Sequence, residues 1–151
     1  MNTLVSTVED KIRKFKKLAE AKLKGRVSLI TVFGSQIEGR VTPLSDVDVA
    51  VFPKPGEDIV SLSVDLVSLA SEAFKISEDK IDILFLDDDL PIELLFKAVA
   101  KGALVYCEDR EFYVDYRLRI MSEYLDFQVF KRKLKLFESY IKSVKKRLSH
   151  G

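Results

Sequence analysis

From Val8 to Leu23 the apolar residues Val8, Ile12, Phe15, Leu18 and Leu23 recur at helical spacing amid lysine and glutamate, and Gly25 follows where a helix commonly stops. This pattern predicts an amphipathic first helix. Val27 to Phe33 is short, β-branched and aromatic, and it runs straight into Gly34-Ser35, as a buried strand feeding a tight turn would. Val47 to Phe52 repeats the strand pattern. The intervening Gln36 to Ser45 is too short for a crossover helix and too irregular for a strand, so it reads as a brief helical turn followed by a loop.

Pro53-Lys54-Pro55-Gly56 breaks the chain, after which Ile59, Leu62, Leu66, Leu69, Ala70 and Phe74 trace one helical face. Ile81 to Leu86 then reads as a third strand. Pro91 can open a helix carrying Leu94, Leu95, Ala98 and Val99, closed by Gly102, and Ala103 to Tyr106 makes a short fourth strand. From Arg110 onward glycine and proline vanish until Gly151, which predicts one long helix or two nearly continuous ones. Phe127, Phe130, Leu134, Phe137, Ile141, Val144 and Leu148 step by three and four, whereas Val114, Leu118, Met121 and Leu125 hold another phase. A bend or a change of packing partner near Asp126 reconciles the two. The fold class is therefore mixed α/β (α+β): about four strands with packed helices and a long C-terminal helical extension.

The 151 residues suit one domain, and 47% hydrophobic content supports a core without disulfides or structural metal. A net charge of +1 argues against direct nucleic-acid binding and against an anionic membrane surface. With no secretory leader and no long apolar run, the expected location is the cytoplasm. The single Cys107 ends an apolar run and is expected to be a buried structural thiol; the single His150 lies at the terminus, a poor place for a rigid base or ligand. Chemistry must then run on carboxylates, hydroxyls or a metal.

Asp46 and Asp48 interrupt the second strand two residues apart, so the strand period points both to one face while Val47 and Val49 point into a core. Paired carboxylates repel and resist desolvation, a cost that a divalent cation offsets. Asp82, between Ile81 and Ile83, repeats the anomaly and can join them if the strands are neighbours. Such a partial oxygen cage suits one or two Mg2+ ions whose remaining positions are filled by water or phosphate. Gly34 permits a sharp turn close to a ligand, and Ser35 offers a hydroxyl and an amide to a triphosphate. Taken singly, Asp-x-Asp is usually an exposed strand end and Gly-Ser an ordinary turn. Asp87, Asp88 and Asp89 cannot share a strand face, and capping or solvation before Pro91 is the preferred account.

Gly34-Ser35, ten residues, then Asp46-Val47-Asp48, with strands before and within, resembles the signature of the nucleotidyltransferase superfamily that includes DNA polymerase beta. Gly39-Arg40, Pro43 and Ser45 bring it closer to the minimal nucleotidyltransferase (MNT) group. The resemblance is carried by Val27 to Phe52 and extends through Asp82. It implies a mixed nucleotidyltransferase-type sheet with helices packed against it, a catalytic core over residues 1–108, nucleoside triphosphate bound at Gly34 and Ser35, magnesium held by Asp46 and Asp48, and Asp82 as third carboxylate by strand context. Arg40 is a candidate phosphate or acceptor contact, though an arginine beside a glycine is more often a solvated loop residue.

Stand-alone members of the group resemble the antitoxin halves of HEPN/MNT toxin–antitoxin systems. The implied activity is magnesium-dependent transfer of AMP from ATP to a tyrosine of a helical HEPN-type ribonuclease toxin. Residues 109–151 then form an extension packing on the core or on a partner, whether that toxin or a second copy. Two alternatives stand beside this reading. One is an antitoxin that neutralises by binding alone, since Lys131, Arg132, Lys133, Lys135, Lys142, Lys145, Lys146 and Arg147 make the tail basic. The other is nucleotide transfer to a small hydroxyl compound.

Overall fold

The computed structural model describes residues 7–39 and 46–150. Helix α1 (Val8–Lys22) starts in a capping box: Thr7 accepts from the Asp10 amide, and the Asp10 carboxylate accepts from Thr7 N–H. Strand β1 (Val27–Phe33) follows a left-handed Gly25, then come the short helix α2 (Ser35–Glu38) and strand β2 (Val47–Pro53). Helix α3 (Ile59–Phe74) is capped by Asp58 and leads through a tight turn at Glu78–Lys80 into strand β3 (Ile81–Phe85). Helix α4 spans Ile92–Leu95 and widens into a π-helical turn over Phe96–Ala100; strand β4 (Ala103–Cys107) and helix α5 (Arg110–His150) complete the chain.

The sheet order is β3-β2-β1-β4. β1 pairs antiparallel with β2 and with β4, so the short α2 connection suffices between the first two strands. β2 and β3 run parallel, and α3 supplies the long crossover that parallel strands need. The sheet is mixed, as the family resemblance implies.

Strand alternation assigns the two faces. Val47, Val49 and Val51 of β2 join Phe15, Leu66 and Phe74 under α1 and α3, where the Phe15 and Phe74 rings meet edge to face at 6.4 Å. Ala50 and Phe52 face the opposite side, where α4 and the first half of α5 bury Leu95, Ala98, Tyr116 and Ile120. Thr31 Oγ1 donates to the Ala98 carbonyl at 2.7 Å, and Gly102 allows the chain to pass so near that a Cβ there would lie 2.1 Å from the same carbonyl oxygen. These two contacts set α4 over the C-terminal half of β1.

Two local expectations change, and one is narrowed. Of the forms expected for the tail, a single continuous helix is found across Asp126, so its two apolar phases reflect a change of packing environment: Tyr124 still stacks on Phe96, while Phe130 and Phe137 are exposed. Cys107 is half-buried on β4, an edge strand paired only with β1. Asp87 to Asp89 do not cap α4, whose N-cap Pro91 has no side-chain bond; Asp87 accepts from the Asp89 amide within the turn and Asp88 pairs with Arg119. His150 is exposed at the end of α5. Among the described residues no helix is long and apolar enough to cross a membrane.

The contrast between core and tail has a measurable consequence. Phe74→Ala, at a side chain 2% exposed, is expected to lower unfolding free energy by about 3–5 kcal/mol in denaturant titrations. Phe137→Ala, at 60% exposed, is expected to stay within about 0.5 kcal/mol in the isolated protein. Comparable losses would mean that the tail packs elsewhere on the chain.

Candidate functional site

The site forms where β1 ends and β2 and β3 begin. Because Val47 and Val49 are drawn into the α1/α3 core, Asp48 must project to the α4 side. The parallel register then sets Asp82 directly beside Asp48, with Val47 beside Ile81 and Val49 beside Ile83. Asp46 lies just before β2 and is exposed, Asp82 is exposed, and Asp48 is half-buried. The strand phase expected from sequence therefore holds for Asp48 and Asp82, whose adjacency comes from the β2–α3–β3 connection, while Asp46 lies just outside the strand.

On its other side Asp48 is opposite Phe33, the last residue of β1, which places its carboxylate against Gly34. Gly34 has φ +83°, and a Cβ built on it would stand 2.3 Å from Asp48 Oδ2. A side chain there would meet both an unfavourable backbone region and the carboxylate itself. Gly34 is thus required by its contact with Asp48 as well as by its turn. Its carbonyl accepts from Ile37 and Glu38 N–H at 3.0 Å each, so Ser35 begins α2 directly beside the carboxylates. Arg40, Pro43 and Ser45 lie outside the described residues.

Electrostatics record the crowding. Burial, followed by the charge of Asp82 and then that of Asp46, raises the Asp48 pKa above the usual carboxylate value, and Lys97 opposes them. Lys97 belongs to the π-helical turn of α4 and is exposed. One turn on, Lys101 approaches Glu38 of α2 at 3.8 Å. Neither lysine was legible as a site residue, since each is a common charge on a helix and only the docking of α4 over β1 brings it here.

Among the described residues no three histidine, cysteine or acidic side chains close around a common point as a complete metal cage would. The donor set instead consists of two carboxylates side by side and a third at the strand entry, all oxygen and open on one side. That chemistry fits a hard divalent cation that keeps water or phosphate oxygens in its remaining positions. The residues that could hold such an ion are Asp46, Asp48 and Asp82.

No curated protein sequence matches the chain. Among solved structures, a toxin–antitoxin complex with AMP-PNP aligns with a TM-score of 0.58 at 20% identity, covering 82% of this chain and 94% of the other. The toxin–antitoxin pair MntA–HepT aligns with a TM-score of 0.54 at 18% identity, covering 82% and 92%. A complex of tri-AMPylated Shewanella oneidensis HEPN toxin with MNT antitoxin gives 0.56 at 18% identity, covering 85% and 95%. At these identities the likeness is one of fold. The family model described as polymerase beta, nucleotidyltransferase matches residues 13–111, which span α1 to the start of α5 and contain the whole carboxylate cluster and its glycine turn. The chain belongs to the polymerase beta nucleotidyltransferase family.

Proposed function

We propose that this protein is a cytoplasmic, magnesium-dependent antitoxin that transfers AMP from ATP to a tyrosine hydroxyl of a HEPN-type toxin. The observation that carries the reading is the placement of Asp48 between Asp82 and Gly34, at the open end of the sheet. The acceptor class draws support from the fold neighbour solved as a tri-AMPylated HEPN toxin with its MNT antitoxin, and the nucleotide from the neighbour solved with AMP-PNP.

In this reading Asp46, Asp48 and Asp82 hold one or two Mg2+ ions. When bound, magnesium neutralises triphosphate charge and lowers the pKa of the attacking hydroxyl. Gly34 and Ser35 bind phosphate oxygens through backbone amide and side-chain hydroxyl, close enough to Asp48 that phosphate and carboxylates share the same few ångströms. The acceptor oxygen attacks the α-phosphorus in line, the bond to pyrophosphate breaks, and the acceptor proton passes to a site carboxylate or to water. The buried valines of β2 keep the carboxylates from relaxing away from one another, which preorganises the site at a cost in stability.

A binding-only role is favoured by one observation, the exposed Phe130, Leu134 and Phe137 on α5, which a helical partner would cover. If the Asp46→Asn, Asp48→Asn double variant neutralised the toxin fully in cells at normal expression, binding would be the operative function.

Three results are expected. With labelled ATP, magnesium and the toxin encoded beside this gene, the wild-type protein labels the toxin, whereas the double variant does not; equal labelling by both would sink the mechanism. Gly34→Ala, which drives a methyl into the Asp48 carboxylate, is expected to lower the transfer rate by about 100-fold or more, read in the same assay. Finally, because the folded-state pKa of Asp48 is raised, its ionised form subtracts stability, an effect that sets in as pH rises through the usual carboxylate range. Asp48→Asn is therefore expected to raise the thermal midpoint of the metal-free protein at pH 7, with the gain vanishing once acidification protonates wild-type Asp48. A lower midpoint for the variant at pH 7 would contradict this electrostatic account.

A further inference from the structure

Past Ile120, which is buried behind α4, the same face of α5 carries Phe127, Leu134, Ile141 and Leu148 at intervals of seven residues. Phe130, Phe137 and Val144 fill the intermediate positions, so the steps alternate three and four through three heptads. The core reaches only as far as the stacking of Phe96 on Tyr124 and the Lys131–Glu93 ion pair at 3.3 Å. Beyond it Phe130, Leu134, Phe137 and Leu148 are exposed. A straight helix drifts by about 20° per heptad against such a repeat, so a stripe kept in strict heptad register fits a second helix wound against it. The family model ends at residue 111, and the seam lies wholly beyond it.

The residues bordering the seam identify the occupant. In two antiparallel copies centred between Leu134 and Phe137, Phe127 packs on the partner's Val144, Phe130 on the partner's Ile141 and Leu134 on the partner's Phe137, each twice by symmetry. The flanking positions then pair Asp126 with the partner's Arg147, Lys131 with the partner's Glu138, and Lys133 with the partner's Tyr140. Two of these are opposite charges, and the third sets a cation beside an aromatic ring. Among the described residues Asp126, Lys133, Glu138 and Arg147 make no ion pair or hydrogen bond within the chain, so these groups are free to pair across the seam. Arg132, Lys135, Lys142 and Lys146 take the outward positions of the repeat, where their charges stay solvated.

The direction follows from where the cores sit. Each core lies against the start of its own seam, at Tyr124 and Lys131. Parallel copies would crowd two cores at one end of helices about 10 Å apart, whereas antiparallel copies carry them to opposite ends. We propose that α5 is a dimerisation element, which joins two copies of this chain as an antiparallel coiled coil over residues 124–147. The inference is independent of the transfer reading, because it uses no residue of the carboxylate site. Association depends on concentration, so at high dilution Phe137 stays exposed as in the single chain.

The test is analytical ultracentrifugation of the full chain over a concentration series, with thermal unfolding at high dilution as a control for each variant. Wild type is expected to approach twice its 17.2 kDa mass as concentration rises. Phe130→Ser combined with Phe137→Ser is expected to weaken association about 100-fold or more, with the unfolding midpoint of the dilute protein unchanged. Asp126→Arg and Arg147→Asp each bring like charges together and are each expected to weaken it about tenfold, while the two combined restore it to within about threefold. Only the antiparallel register predicts that recovery, since in a parallel pair Asp126 would meet the partner's Lys131. Absence of the recovery would therefore overturn the proposal. A wild-type chain that stays monomeric at submillimolar concentration would also overturn it, even if Phe137 then proved necessary for binding the toxin.

Discussion

The parallel pairing of β2 with β3 sets Asp48 beside Asp82, and that pairing is enforced from the other face of the sheet. Val47, Val49, Val51 and Ile81 cannot leave the core beneath α1 and α3 without exposing apolar surface, and a slip of one residue would turn the carboxylates inward and the valines outward. Hydrophobic burial on one face thus holds like charges together on the other. Asp48 bears the consequence, with burial and Asp82 making its ionised form less favourable than in a free carboxylate.

The second constraint is steric. Gly34 ends β1 at the point where Asp48 of the neighbouring strand reaches across, and no larger residue leaves that carboxylate its place. The Gly34 turn and the Asp48 carboxylate are therefore one packed unit. Helix α4 and its π-turn are fixed over β1 by Thr31, Gly102 and Arg117. Helix α5 contributes Tyr116 and Ile120 to the core behind α4, then runs on with exposed Phe130 and Phe137. The core behind α4 and the exposed apolar residues of the tail are thus joined through one continuous helix.

Much of this was legible in the chain because it depends on local period. The alternation around Asp46, Asp48 and Asp82 is readable at a two-residue step, and the faces of α1 and α3 at a helical one. Gly34 and Ser35 were marked by the turn they make and by family resemblance, although the contact that makes Gly34 necessary involves a residue on another strand. What escaped depends on topology. Lys97 is one lysine among many until α4 is docked over β1. The half-exposure of Cys107 follows from β4 standing at the sheet edge, and the turn at Asp87 to Asp89 is organised partly by Arg119, far along the chain. The tail kept a single helical axis where the apolar phases allowed a bend, because leaving the core changes what surrounds a helix without requiring its backbone to break.

The claim on which the rest depends is that Asp48 and Asp82 share a divalent cation with a bound nucleotide. Electron paramagnetic resonance of Mn2+, added with a non-hydrolysable ATP analogue to wild type, Asp48→Asn and Asp82→Asn, tests it without requiring the acceptor to be known. The account predicts a nucleotide-dependent protein-bound Mn2+ signal in the wild type that is strongly reduced in each variant. Undiminished binding in both variants, or Mn2+ bound in the wild type at a place that neither substitution affects, would contradict it.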